Sequence, residues 1–347
     1  MCFNKFSEKA LQLMGPWRKW GLCGFTALLA VTGVLVLSHS WWGSSSVPNL
    51  GLVRLHLTSQ PVVAAFFQAS HQGYFADAGL DVRLISHPTG RQALAAMVSN
   101  GDDYAVCADT PFVKSFAQGQ AVSVLASFGQ AANSTHFIGR RERGITAELK
   151  SLVGHRLGIV KGTNAEYVFY SACLLEDISA DGITLVDLSA EDLIPALLDG
   201  RVDAAALWDT LLDTARTGLG SAAIEITIDD IYRSMWLVVV NGAQRDQRRE
   251  RALLTGLMRA TEDLRRSPRA TLGGIVHDIG ITPSDLDWVM RLTRFRVNLD
   301  QSLLLNLESQ RRWMGIGGRE IFDGLSPLPL SQVDPNAVNL VHPEIAP

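Results

Sequence analysis

From Val53 onward the sequence alternates between short apolar strand patterns and helical runs, and it does so twice. That alternation constrains the fold more than any other feature. Strands separated by helices form βαβ units, which build a largely parallel sheet covered by helices. In the first set, Val53, Leu55 and Leu57 alternate with Arg54 and His56, the period of a strand. Pro61 opens an apolar helical run ending near Gly73, Leu80–Ile85 reads as a strand, and Arg91–Ser99 as a helix. Tyr104–Cys107 is a third strand, broken by the loop Ala108-Asp109-Thr110-Pro111, before a helix over Phe112–Gln118 and a strand over Val122–Phe128.

The pattern then restarts. After a polar turn at Leu149–Gly154, Arg156–Val160 is a strand, and the loop Lys161-Gly162-Thr163-Asn164 opens a helix to Leu175. Ile183–Asp187 is a strand, and Ser189-Ala190-Glu191-Asp192 has the form of a capping box for a helix ending at Gly200. Ala204–Leu207 is a strand leading to Trp208-Asp209. Two such sets predict two α/β lobes. From about Ser234 the character changes: Met235–Val240 is a fully apolar strand, and thereafter the chain reads as helical. An Arg-rich amphipathic helix covers Gln244–Ser267, and Thr282-Pro283 is a helix start, with Thr as cap and Pro at the first helical position. Beyond Gly315 the tail is punctuated by Pro and Gly and is expected to pack on a lobe surface.

The amino terminus bears on the compartment. Lys5, Lys9, Arg18 and Lys19 precede a stretch from Trp20 to Val53 with no Asp, Glu, Lys or Arg, whose apolar centre is Leu22–Leu37. Positive charge resists translocation, so this end stays cytoplasmic while the rest of the chain crosses the membrane. Two readings of residues 1–42 stand. A signal peptide would be cut after small residues such as Ser38-His39-Ser40, whereas an uncleaved anchor over residues 20–40 would seat Trp41 and Trp42 in the interfacial belt. Residues 43–50 form a Ser/Pro/Asn linker.

Composition excludes several function classes. A net charge of −4 leaves no basic footprint for nucleic acid. Four cysteines in 347 residues cannot make a disulfide scaffold; Cys107 and Cys173 could pair in an oxidising compartment, but each sits in an apolar run and reads as a buried free thiol. The sequence has no Walker A loop, no His-Glu-x-x-His and no Gly-x-Ser-x-Gly, and its eight histidines lack metal-ligand spacing. Nothing predicts catalysis, a metal or a cofactor. The remaining class is binding. In open α/β sheets, ligands sit beyond the carboxyl ends of strands. Three loops have that position: His87-Pro88-Thr89-Gly90, Ala108-Asp109-Thr110-Pro111 and Lys161-Gly162-Thr163-Asn164. Each comes after a strand and opens a helix, whose free N–H groups and dipole suit an anionic head group. Arg91 could counter the anion or be a solvated helix-start residue. Asp109 could bind an amine or hydroxyl or only form the turn. Trp208 and Tyr232 could wall the cleft or pack core and hinge.

Longer stretches are familiar. Phe66–Leu84 (FFQASHQGYFADAGLDVRL), Thr89–Val113, Val153–Phe169 and Leu193–Asp209 resemble the successive lobes of periplasmic solute-binding proteins of the nitrate/sulfonate/taurine type, a superfamily that also contains binders of a thiamine pyrimidine precursor. The likeness runs from about Val53 to Trp313. It implies a type II periplasmic-binding fold, with two α/β lobes joined by crossing strands near Ser134–Phe137 and Tyr232–Leu237 and a ligand cleft between them. Lobe 1 would comprise residues 51–136 and 235–347, and lobe 2 residues 137–234. Carried over by position, the cleft includes Gln60, Gly90, Asp109, Thr110, Thr163, Asn164 and Trp208. The pyrimidine synthases of the superfamily carry a cysteine-rich run that is missing here, which argues against an enzyme. The resemblance implies a periplasmic protein that captures a small organic anion, an alkanesulfonate or taurine, and hands it to an ABC permease driven by a separate ATPase. The alternative on the same fold is a membrane-tethered sensor.

Overall fold

The computed structural model describes residues 48–316, apart from 133–134, 227, 229–230, 267–274, 281 and 300. The signal or anchor segment 1–42, most of the linker and the tail after Gly315 therefore lie outside the described residues. Among the described residues no helix is long and apolar enough to cross a membrane.

Two sheets organise the chain. The first has six strands in the order β11-β4-β10-β3-β1-β2, formed by Leu52–Thr58 (β1), Asp81–His87 (β2), Tyr104–Ala108 (β3), Val122–Ala132 (β4), Arg233–Asn241 (β10) and Thr293–Asn298 (β11). The second has five in the order β7-β6-β8-β5-β9, formed by Thr135–Arg140 (β5), Arg156–Ile159 (β6), Thr184–Asp187 (β7), Ala204–Trp208 (β8) and Ala223–Ile226 (β9). The chain leaves the first sheet after Ala132, enters the second at Thr135, and returns to the first at Arg233. Each sheet is mixed, not purely parallel. β1 is parallel to β2 and β3, but β10 is antiparallel to both β3 and β4, and β11 to β4. In the second sheet β6 is parallel to β7 and β8, while β5 is antiparallel to β8 and β9. A strand that enters from the other lobe arrives without a helical crossover, so nothing obliges it to run parallel.

Burial matches the patterns that make the strands. β3 and β8 are apolar and buried throughout, and β10 is buried beyond its exposed Arg233 and apolar from Met235 to Val240, as central strands covered on both faces must be. Alternate residues of β5 and β8 supply opposite faces of the second sheet. Phe137, Ala204 and Ala206 pack with Phe169 on one side, and Ile138, Ala205 and Leu207 pack with Leu193 and Leu197 on the other. Two strands escape the sequence reading. β9 is short, and β11 contradicts the expectation of an all-helical C-terminal region. Thr293, Phe295 and Val297 are buried while Arg294 and Arg296 are exposed, a two-residue alternation confined to six positions.

The helices that border the site and the core are Gly90–Asn100 (α3), Asp109–Ala117 (α4), Asn164–Leu175 (α5), Leu193–Asp199 (α6), Asp209–Leu219 (α7), Gln247–Arg266 (α8) and Gln301–Ile316 (α11). Ala64–His71 (α1), Tyr74–Asp77 (α2), Ile275–Ile279 (α9) and Pro283–Leu292 (α10) complete the set. The expected capping box for α6 does not sit at the helix start: the N-cap is Asp192, which makes no side-chain capping bond, and Ser189 instead closes the preceding turn, its Oγ donating to the Asp192 carboxylate at 2.8 Å and accepting from Asp192 N at 3.2 Å. Gly200 ends α6 at φ +81, the left-handed conformation that glycine takes without strain. α8 buries Leu253, Leu257, Ala260 and Leu264 along one stripe, and carries the fully buried Glu250, paired with Arg245 at 2.6 and 3.0 Å. Cys107 and Cys173 are both buried free thiols.

Candidate functional site

The carboxyl ends of β2, β3, β6 and β8 each lead into the first turn of a helix: α3 at Gly90, α4 at Asp109, α5 at Asn164 and α7 at Asp209. Each helix start carries backbone N–H groups and the positive end of the helix dipole. Ala108–Pro111 is not the loop that the sequence predicts. Asp109, Thr110 and Pro111 already form the first turn of α4, where proline is tolerated because its missing N–H has no intrahelical acceptor.

The two lobes meet at these helix starts. A Cβ placed on Gly162, just before α5, would lie 3.3 Å from Arg91 Cδ and 3.4 Å from Lys114 Cδ, with Lys114 Nζ at 3.5 Å. Arg91 begins α3 and Lys114 lies on α4, so two cationic side chains of the first lobe lie over the loop that starts a helix in the second. Gly162 takes φ +75, and its N–H is held at 2.7 Å by the Glu166 carboxylate.

A second cluster lies where α4, β10 and α11 converge. Asp109 is fully buried. Its Oδ1 accepts from Thr110 N at 2.9 Å and from the Tyr232 hydroxyl, and its Oδ2 accepts from Met235 N at 3.1 Å and from Asn306 Nδ2. Burial pushes the Asp109 carboxyl up to about 6 despite these four donors, the Tyr232 hydroxyl foremost among them, which favour the anion. Tyr232 is pushed well above its ordinary value by its own burial and by the neighbouring carboxylate. Gln310 Nε2 reaches the Tyr232 hydroxyl at 3.4 Å. Edge-to-face contacts carry the cluster into the second lobe: Tyr167 of α5 lies 5.1 Å from Tyr232 and 5.1 Å from Trp313 of α11. Among the described residues, Gln310 Oε1 and Trp313 Nε1 are buried here without a hydrogen-bond partner.

The remaining expected residues divide between the site and its scaffold. Asn164 and Trp208 come together, with Trp208 Nε1 donating to Asn164 Oδ1 at 3.2 Å, both side chains buried. Asp109, Thr110 and Tyr232 form the cluster around the buried carboxylate. Thr163 is buried and donates its hydroxyl to Val160 O at 2.7 Å, bracing the turn without capping α5, whereas Thr89 caps α3 by accepting from Gln92 N at 3.2 Å. Gly90 is required by packing: a Cβ there would stand 2.9 Å from Cys107 Cα, where α3 crosses β3. Gln60 precedes the 3-10 turn Pro61–Val63 and makes no side-chain capping bond. Sequence reasoning misses Lys114, Tyr167, Asn306, Gln310 and Trp313. Asn306 and Gln310 are a helical turn apart and face inward, but no local signal points them at a residue 197 positions earlier.

Among the described residues no group of three His, Cys, Asp or Glu side chains could hold a metal ion. A groove of about 640 Å3 lies elsewhere, lined by Tyr74, Arg259, Asp263 and Arg296 among others, and none of the nine expected site residues touches it.

Comparison with known proteins agrees with this architecture. The chain is similar over 78% of its length, and over 93% of the other chain, to the alkanesulfonate-binding protein SsuA from Xanthomonas axonopodis pv. citri bound to MOPS, with 16% identity and a TM-score of 0.66. The periplasmic aliphatic sulphonate binding protein SsuA from Escherichia coli matches with 16% identity and a TM-score of 0.62, covering 76% of this chain and 91% of that one. A mutant of DszB in complex with biphenyl-2-sulfinic acid matches with 16% identity and a TM-score of 0.60, covering 84% and 99%. At such identities the likeness establishes the fold, which is that of periplasmic binding proteins. No curated protein sequence matches the chain. The family described as NMT1/THI5 like matches residues 60–271, well over half of the 347. The chain therefore belongs to the NMT1/THI5-like family.

Proposed function

We propose that this protein is an extracytoplasmic solute-binding protein that captures a small organic anion, an alkanesulfonate or taurine-like compound, between its lobes and delivers it to an ABC importer. The observation that carries this reading is the cationic seam, in which Arg91 and Lys114 of the first lobe lie over Gly162 at the start of α5 in the second. An anion there would meet two positive side chains and a helix N-terminus, where it would have to displace the Glu166 carboxylate from Gly162 N–H, and only when the lobes are together. Binding would thus favour closure, the differential affinity that any ligand-driven conformational change requires. Trp313 Nε1, without a partner among the described residues, offers the acid group a donor, and Gln310 Oε1, likewise without a partner among them, offers an acceptor to the ammonium of a taurine-like ligand. The neighbours bound to MOPS, which carries a sulfonate, and to a sulfinic acid support an organosulfur acid as ligand. Mechanistically this is reversible capture without covalent chemistry.

The test is a thermal-shift and calorimetric screen of the purified protein against ethanesulfonate, taurine, nitrate, carboxylates and pyrimidines. A true ligand at about 100 times its dissociation constant stabilises the fold by about 2.7 kcal/mol. A sulfonate response lost in the Arg91→Ala, Lys114→Ala double variant supports the proposal. A response to neutral pyrimidines alone, or to nothing, overturns it.

A further inference from the structure

Beneath α3, on the face of the first sheet that carries Arg54 and Thr58, three polar side chains form a chain. Asp102 Oδ2 lies 2.9 Å from His56 Nε2, and His56 Nδ1 lies 2.8 Å from His87 Nε2. The two imidazoles stack with centroids 5.0 Å apart. His56 is only 1% exposed, whereas His87 is partly exposed and opens the strand-end loop leading to Gly90 and Arg91. Strand alternation makes His56 an outward-facing polar residue, so its burial needs an explanation.

Hydrogen-bond direction along the chain admits one neutral arrangement. The Asp102 carboxylate can only accept, so His56 Nε2 carries a proton and His56 Nδ1 is a bare acceptor. His87 Nε2 must then donate to it, which leaves His87 Nδ1 without a proton. At neutral pH the outer end of the chain is therefore a hydrogen-bond acceptor. Addition of one proton at His87 Nδ1 inverts this. The charge can stay on His87, or the Nε2 proton can pass to His56 Nδ1 and bring the charge beside Asp102. In both cases His87 Nδ1 ends protonated and donating.

We propose that Asp102, His56 and His87 form a proton relay that sets the polarity of the loop His87–Gly90, presenting an acceptor at neutral pH and a donor of positive character in acid, so that the cleft takes an anionic ligand more tightly as pH falls. This rests on the anion-binding reading for its affinity consequence, but not for the relay itself. The charged and titratable groups on the elements packed around His87 are His56 and Arg54 of β1, Asp81 and Arg83 of β2, Asp102 and Asp103 of the turn before β3, Tyr104 and Cys107 of β3, and Arg91 of α3. Arg54 approaches Asp102 at 3.6 Å but is itself half exposed. Burial and then His56 hold the His87 value below that of a free imidazole, which agrees with a neutral, acceptor state at pH 7.

Two measurements test this on the full-length protein. Long-range proton–nitrogen NMR of the histidine rings, at pH about 8 and about 5 on either side of the ordinary imidazole value, reads each nitrogen directly. The expected result is His87 protonated at Nε2 and bare at Nδ1 in base, gaining the Nδ1 proton in acid. In Asp102→Asn the His87 midpoint should move down, because the geometry persists without the charge; in His56→Phe the ring should lose its single tautomer. His87 protonated at Nδ1 in base, or a midpoint unmoved in Asp102→Asn, overturns the relay whatever the ligand proves to be. Calorimetry with ethanesulfonate at the same two pH values should show affinity rising about fivefold in acid, the upper range for a solvent-exposed charge pair, and the rise should vanish in His87→Phe. Equal affinity at the two pH values overturns the affinity consequence alone. No binding of ethanesulfonate, taurine, nitrate or carboxylates at either pH removes the anion-binding reading and that consequence with it, while the NMR result still decides the relay.

Discussion

Substitution of Asp109 by Asn asks whether the buried carboxylate is a cost or an asset. Folding raises its pKa from 3.8 to about 6. Because the folded-state value is the higher one, the neutral form is favoured by folding. Its stabilisation is fully present below about pH 3.8 and is lost as pH rises through about 6. At 1.36 kcal/mol per pKa unit, the native protein gives up about 3 kcal/mol across that window on account of this one group. The amide cannot ionise and gives up nothing. It does present an NH2 group to Met235 N and Asn306 Nδ2, which now donate to Oδ2, and a buried donor left unpaired costs about 1–3 kcal/mol. Asp109→Asn is therefore expected to be less stable than the native protein by about 1–3 kcal/mol near pH 4, and level with it or slightly more stable at pH 7. Urea unfolding monitored by tryptophan fluorescence across that range gives the difference curve. A difference that is flat with pH would refute the argument by showing that the four donors balance burial, and one in which the variant loses ground as pH rises would refute it by showing that they outweigh burial and hold Asp109 as a favoured anion.

Other perturbations probe equally local geometry. Glu250→Ala removes the carboxylate that pairs with Arg245 and empties a fully buried site, so a loss of about 3 kcal/mol is expected in denaturant unfolding; a loss below about 1 kcal/mol would mean that solvent reaches the pair. Gly90→Ala forces a methyl to within 2.9 Å of Cys107 Cα and should lower the melting temperature through about 1–3 kcal/mol of overpacking, whereas an unchanged melting temperature would show that α3 can lift off β3 freely. Asn164→Ala leaves the buried Trp208 indole N–H without its acceptor, for an expected cost of about 1–3 kcal/mol together with a shift in tryptophan emission; an unchanged spectrum and stability would show that water replaces the amide.

The order of strands and helices was legible because burial enforces periodicity. Val53, Leu55 and Leu57 alternate because one face of β1 is core, and Val106–Ala108 and Leu237–Val240 run without polar interruption because both faces of a central strand are covered. Helix starts at Thr89, Thr163 and Pro283 were equally readable, since capping is a matter of neighbours in sequence. The misses have physical causes as well. β11 is only six residues long and lies between helices, so its Thr-Arg-Phe-Arg-Val alternation is too short to outweigh the helical pattern around it. Asp109 has the character of a turn former, because turn and first helical turn attract the same short polar side chains.

Sequence alone determined the fold class, the two lobes and the set of strand-end loops among which a ligand could be held, since all of these depend on local periodicity and on chain connectivity. Tertiary structure alone decided which of the expected residues act together. It made Asp109 the acceptor for donors from β10 and α11, brought Arg91 and Lys114 over Gly162, and joined Asp102, His56 and His87 into one hydrogen-bonded chain. These partners lie tens to hundreds of residues apart. Hydrogen bonds and charge contacts act over a few ångströms of space, so only the packing of the lobes and the path of α11 could select them.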